Sequence, residues 1–247
     1  MKFTMYALFL KEIKGFLSSL TGYIVMGVFL VLTGLFLWVF PIQENILSRG
    51  FADINGLFGI APVVFLFLIP AITMRSFAEE RKTGTIEVLF TYPLTDMQVI
   101  LAKYLAAVCL MVISLIPTFI YVITVYKLGY PQGNLDMGAM WGSYLGLFFL
   151  GAAFSAIGIF MSTVTDNQIV AFIFSVLLCF LMWLSFDFIY SFHLFGKFGY
   201  VIKNLGISQH YASISRGVVD SRDIIYFLSV IVLFLYMARL RLQSRNW

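Results

Sequence analysis

The chain has 247 residues, of which 61% are hydrophobic, 18% aromatic and only 11% charged. Soluble domains average roughly 45–50% apolar and about 25% charged residues, so these polar side chains cannot cover a water-facing surface, and a soluble enzyme, a disordered chain and a disulfide scaffold are all excluded. The formal charge of +4 comes from dispersed basic residues rather than a nucleic-acid-binding cluster, and Cys109 and Cys179 sit inside apolar runs as small buried hydrophobes, so a polytopic membrane protein remains.

Residues 1–20 carry an amphipathic pattern. Phe3, Tyr6, Phe9, Leu10, Ile13, Phe16, Leu17 and Leu20 recur at helical spacing while Lys11, Lys14 and Ser18 take another face, which suits a helix lying in the membrane interface. The apolar run that follows is too long for a secretory signal core and ends at Phe40-Pro41 rather than at a small-residue cleavage site, so it is expected to remain as a span. A helix needs about twenty apolar residues to cross the ~30 Å hydrocarbon layer. Six runs qualify: Gly22–Phe40, Leu57–Met74, Val99–Tyr126, Met140–Thr163, Gln168–Tyr190 and Ile224–Arg239. Pro62 and Pro70 in the second and Pro117 in the third predict kinks.

Six spans place both termini on one side. Lys2, Lys11, Lys14, Arg75, Arg81, Lys82, Lys103, Arg239, Arg241 and Arg245 fall on that side, against Arg49, Lys127, Lys197, Lys203, Arg216 and Arg222 on the other. The excess predicts cytoplasmic termini. Between spans four and five, Thr163 to Asn167 is barely a turn, with Asp166 expected as a helix cap. Residues 191–223 form a long outer segment rich in Phe, Tyr and Ile that is expected to fold back onto the bundle. With no linker or repeat, residues 1–247 read as one domain.

The densest charge lies in residues 75–98, where Arg75, Glu79, Glu80, Arg81, Lys82 and Glu87 occupy six of thirteen consecutive positions. Glu79 and Glu80 stand within helical reach of Lys82 and Thr83, Gly84 permits a turn, and Ile86, Val88, Leu89 and Phe90 then offer an apolar surface just outside the lipid. Such an element is suited to docking on a soluble partner and passing force to the spans; an ordinary solvated loop that only fixes topology is the alternative reading. Gly138, Gly142 and Gly146 open span four at four-residue intervals, a pattern of close helix packing either within the chain or across a dimer.

In the outer segment, Asp187 is expected at the solvated interface, Asp220 and Ser221 as cap residues of the last span, and Asp223 in its first turn, with Arg216 and Arg222 as ion-pair partners. His193 and His210 have no neighbouring cysteine and no H-E-x-x-H arrangement, so neither a metal centre nor catalysis is expected. The chain also has no G-x-x-x-x-G-K-[ST] phosphate loop: Gly196-Lys197 has Ser191 where the first glycine would stand.

The run from Glu79 to Tyr104, "EERKTGTIEVLFTYPLTDMQVILAKY", resembles the loop between the second and third helices of type-2 ABC exporter permeases, and "HYASISRGVVDSRDIIYF", His210 to Phe227, is similar to the piece before their last helix. The closest likeness is to the gliding-motility branch of that family. The resemblance implies an all-α integral membrane protein of six transmembrane helices, with an N-terminal amphipathic interfacial helix and a cytoplasmic coupling helix between helices 2 and 3. It further implies that Glu79, Glu80, Arg81, Gly84, Thr85 and Glu87 meet a separate ATP-binding subunit, and that His210, Arg216, Gly217, Asp220 and Asp223 belong to the family's extracytoplasmic segment. No cofactor is then bound by this chain. ATP and Mg belong to the partner, and a second permease copy or related membrane subunit, with a further accessory subunit, completes the assembly in the bilayer. Two other functions fit the composition: an ATP-driven anchor without cargo, and an ion-driven secondary transporter, which needs ionisable groups at mid-membrane.

Overall fold

A computed structural model of the chain describes residues 4–50, 52–130, 132–192, 199–217 and 219–244. Lys2, Phe3, His193, Gly196, Lys197 and Arg245, and the side chain of Phe90, lie outside the described residues. Among the described residues the chain is helical throughout, and six helical segments are long and apolar enough to cross a membrane.

The amphipathic helix α1 (Met5–Leu17) starts on a Thr4 cap and stops at Ser18, and Ser19 caps the first span, α2 (Leu20–Trp38), by accepting the Gly22 N–H at 3.0 Å. After the short α3 (Ile46–Arg49) comes α4 (Asn55–Thr73), which accommodates Pro62 and Pro70 inside one continuous helix. Two short helices, α5 (Ala78–Lys82) and α6 (Thr85–Thr91), make the loop between the second and third spans, on the same side as the termini and called the inner loop below. The third span is α7 (Asp96–Leu115) joined to α8 (Phe119–Leu128) through a 3₁₀ turn at Ile116–Thr118, where Pro117 removes a backbone donor. The fourth is α9 (Met137–Val164). The fifth runs from α10 (Gln168–Phe180) through a π-helical turn at Leu181–Ser185 into α11 (Phe186–Ser191). The segment between the fifth and sixth spans, on the side opposite the termini and called the outer segment below, carries α12 (Gly199–Lys203) and α13 (Ile207–Ile214), and α14 (Ser221–Gln243) is the last span.

Helix α9 is the centre of the bundle and touches α4, α7, α10, α13 and α14. Its run of small residues explains how: Gly151, Ala152, Ala153, Ser155, Ala156 and Gly158 let helices approach from several sides, and Leu150, Phe154 and Ile157 fill the spaces at zero exposure. The polar atoms on such faces need partners where water is absent. Thr73, Ser114, Ser155 and Thr163 meet that need by donating to carbonyls three or four residues back on their own helices, at 2.6–2.9 Å. Helices α2 and α10, by contrast, keep large apolar side chains outward, among them Val31, Ile169, Ile173 and Phe174.

Candidate functional site

The inner loop is rooted in the bundle before its charges come into play. Phe77 and Ala78 are fully buried, and the Ser162 hydroxyl near the end of α9 accepts both of their backbone N–H groups, at 2.9 and 3.1 Å, while donating to the Met74 carbonyl at 3.2 Å. One side chain thus satisfies the turn by which α4 becomes α5. Gly84, at φ 73°, takes the left-handed conformation that reverses the chain between α5 and α6. A capping box then starts α7: Thr95 Oγ1 accepts the Gln98 N–H, and the Gln98 side chain accepts the Thr95 N–H.

Above this root sits a closed charge network. The Lys103 ammonium on α7, whose side chain is 1% exposed, lies 2.8 Å from Glu12 Oε1 on α1, 2.6 Å from the Ser76 carbonyl and 3.0 Å from Glu80 Oε2 on α5. The first two contacts are hydrogen bonds; the third is an ion pair whose alignment leaves Oε2 without a hydrogen bond. Lys11 completes the set, at 3.0 Å from Glu80 Oε1 and 3.7 Å from Glu12 Oε1. The Lys103 ammonium also stands 5.1 Å from the centre of the Phe77 ring. Two carboxylates against two ammoniums make the cluster neutral, which is how charge survives burial. Burial works to lower the Lys11 pKa, but the charges and hydrogen bonds of Glu80 and Glu12 outweigh it and hold this lysine above its ordinary value.

The residues singled out in the loop therefore divide. Glu79, Gly84, Thr85 and Glu87 are exposed, together with Lys82 and Val88. Glu80 and Arg81 turn inward: the Glu80 side chain is 12% exposed within the network, and Arg81 lies 3.6 Å from Asp166 across the turn between α9 and α10. The cap of α10 is Asn167, not Asp166, because Asn167 Oδ1 reaches the Ile169 N–H at 2.9 Å and leaves Asp166 for the arginine. Sequence reasoning treated Lys11 and Lys103 as topology markers and passed over Glu12. Lys103 did carry a signal, as a cation beside an apolar run.

The glycines of α9 make close approaches inside this chain. A Cβ at Gly142 would sit 2.7 Å from Gly217 Cα, and one at Gly146 would sit 3.1 Å from the Ile214 side chain, whereas Gly138 meets only Asp136 at 3.4 Å. Ser143 secures the same contact by donating to the Ser215 carbonyl at 2.7 Å. Gly217 itself has φ 84°, a conformation reserved in practice for glycine.

The outer segment is fastened to α14 by a histidine instead of by arginines. His210 Nδ1 lies 2.7 Å from Asp223 Oδ1, its Nε2 lies 2.8 Å from the Asn204 carbonyl, and its ring stacks on Tyr226 with centroids 3.9 Å apart. Among the described residues neither Arg216 nor Arg222 forms an ion pair with Asp220 or Asp223, since Arg216 Nε donates to the Ala212 carbonyl at 2.9 Å. Asp220 caps α14 through the Arg222 N–H at 3.0 Å. Tyr211 donates to the Phe58 carbonyl on α4 at 2.7 Å, and burial pushes its phenol upward, so it stays a donor. Asp187 is half-buried and accepts from Ser208 rather than standing in solvent. Among the described residues the buried side chains of the Lys, Arg, Asp and Glu type are Lys103, in the first half of α7, and Asp223, in the first turn of α14.

A helical bundle with six apolar spans and a charged helical loop locked to an amphipathic N-terminal helix is the architecture of a polytopic membrane protein. The chain matches the ABC-2 family transporter protein over residues 43–238, and it belongs to that family of ABC transporter membrane subunits. No curated relative matches it.

Proposed function

We propose that this subunit couples ATP hydrolysis by a separate ATP-binding chain to a rearrangement of its spans, with both termini in the cytoplasm of a bacterial inner membrane. The Lys103 network carries the reading. It joins the loop, the interfacial helix and the third span into one unit, so a push on α5 and α6 reaches α1 and α7 without being absorbed by a flexible loop. The exposed face bearing Glu79, Lys82, Thr85, Glu87 and Val88 meets the partner, and Glu80 and Arg81 pass the displacement inward. ATP and Mg bind the partner and favour the state in which its two copies close; differential binding there shifts the packing of the bundle.

The outward apolar faces of α2 and α10 suit a second copy of this permease or a related membrane subunit as well as lipid. Along the likeness between Glu79 and Tyr104, we place the chain nearest the gliding-motility permease GldF, acting in export or conformational work for motility beside an accessory membrane subunit of the GldG kind. Charge reversal at Lys82 and Glu87, both outside the cavity beside the network, tests the coupling surface. The variant should insert and fold normally yet lose co-purification of the ATP-binding chain; full recovery of that chain with unchanged transport-linked ATPase activity would refute the assignment.

A further inference from the structure

A cavity of about 400 Å³ opens beside the charge network, between α1, the inner end of α4 and α7. Its lining changes character with depth. The rim carries Lys11, Arg75 and Glu79, while Ile72, Ala106, Ala107 and Leu110 line it further along their helices. From Lys103 to Leu110 the helix rises roughly 10 Å at 1.5 Å per residue. Headgroup-like chemistry above and hydrocarbon below, over that distance and at the point where an interfacial helix turns into a span, matches a phospholipid at the edge of its leaflet.

The charges on the rim indicate which lipid. Lys11 and Lys103 are committed to Glu80 and Glu12. Arg75 and Glu79, one helical turn apart, form no ion pair with each other or with any other described residue, and Arg75 Nε is buried without a hydrogen-bond partner. A guanidinium and a carboxylate held side by side but unpaired complement a group that carries its own anion and cation at similar spacing. Small side chains leave room for it: a Cβ added at Gly15 on the cavity wall would meet nothing within 4 Å.

We propose that this cavity binds the headgroup of a zwitterionic aminophospholipid from the leaflet on the side of the termini, its phosphodiester against Arg75 and its ammonium against Glu79, with an acyl chain along Ala106, Ala107 and Leu110. The inference rests on the spans lying in a bilayer and not on coupling to an ATPase. A phosphatidylcholine headgroup has no N–H to donate to Glu79, and phosphatidylglycerol offers no cation, so both bind more weakly.

The test is native mass spectrometry of the full chain, purified from vesicles containing equal amounts of phosphatidylethanolamine, phosphatidylcholine and phosphatidylglycerol. The expected result is retention of phosphatidylethanolamine in preference to the other two. Gly15→Leu fills open space on an exposed helix face without disturbing the fold, and should lower retention about tenfold; Arg75→Gln should do the same, as loss of a charge-assisted hydrogen bond predicts. Lys127→Gln, on an exposed lysine outside the cavity, should leave it unchanged. Equal retention of the three lipids, no retained lipid, or wild-type retention by Gly15→Leu would each overturn the proposal.

Discussion

Replacing Lys103 by methionine tests the charge network most directly, because the side chain keeps its length and loses only its ammonium. With that group gone, Glu12 and Glu80, 22% and 12% exposed, keep Lys11 as their common partner, and the Ser76 carbonyl loses its donor. Removing one member of a buried pair costs about 3–5 kcal/mol; the residual exposure of both carboxylates and the presence of Lys11 bring the expected loss to about 3 kcal/mol. Amide hydrogen exchange reads this locally. At 1.4 kcal/mol per tenfold, exchange of the Phe77 and Ala78 amides should accelerate by about a hundredfold, with α1 following. Adding Glu80→Gln removes the uncompensated charge, so the double variant should be more stable than Lys103→Met alone, with an interaction energy of about 1–3 kcal/mol. Unchanged loop exchange in the single variant, or losses that simply add in the double, would show that the network does not lock the loop.

Ser162→Ala leaves two buried N–H groups and a carbonyl without their partner, and should lower stability by about 2–4 kcal/mol, read as a fall in thermal midpoint and as faster exchange at Phe77. Gly142→Ala forces a methyl group to within 2.7 Å of the Gly217 backbone and should cost about 1–3 kcal/mol, while Gly138→Ala, with a single contact at 3.4 Å, should stay within about 0.5 kcal/mol; equal thermal midpoints would contradict the packing. The Lys11 pKa is raised above the ordinary 10.5, so its contribution is fully present below that value and is lost only as pH rises through the higher, folded one. Loop exchange, corrected for its intrinsic pH dependence, should therefore be flat between about pH 6 and 9, and a transition in that window traced to Lys11 would refute the pairing. His210→Ala strips Asp223 of its partner in a site where that carboxylate is only 8% exposed, and should cost about 3 kcal/mol, part of which Asp223→Asn restores.

Most of the architecture was legible because lipid imposes a strict length rule and helices satisfy it in one way. The six spans, the amphipathic α1, the short turn between α9 and α10 and the cap at Asp220 all follow from local pattern. The corrections have local causes too. Asn167 displaced Asp166 as a cap because an asparagine one residue closer to the helix reaches the same N–H groups while the arginine of the loop attracts the acid. The π-helical turn at Leu181–Ser185 had no sequence signature, since no proline or glycine marks it.

The site was legible as a place and not as a set of contacts. A dense run of charge between two spans pointed to the inner loop, yet which of those charges face water depends on partners 69 and 91 residues away, Lys11 for Glu80 and Glu12 for Lys103. The same limit applied to His210, which looked isolated in sequence until a helical turn and a reversal brought Asp223 to 2.7 Å. In each case the missing information is the partner that neutralises a buried charge. Because an unpaired charge is so costly inside a membrane protein, a lone Lys or Asp at the edge of an apolar run predicts that an opposite charge will be found facing it. Applied here, that rule would have pointed from Lys103 to an acid in α1 or in the loop, the elements lying on the same side of the membrane, and from Asp223 to a cationic or donor group in the outer segment.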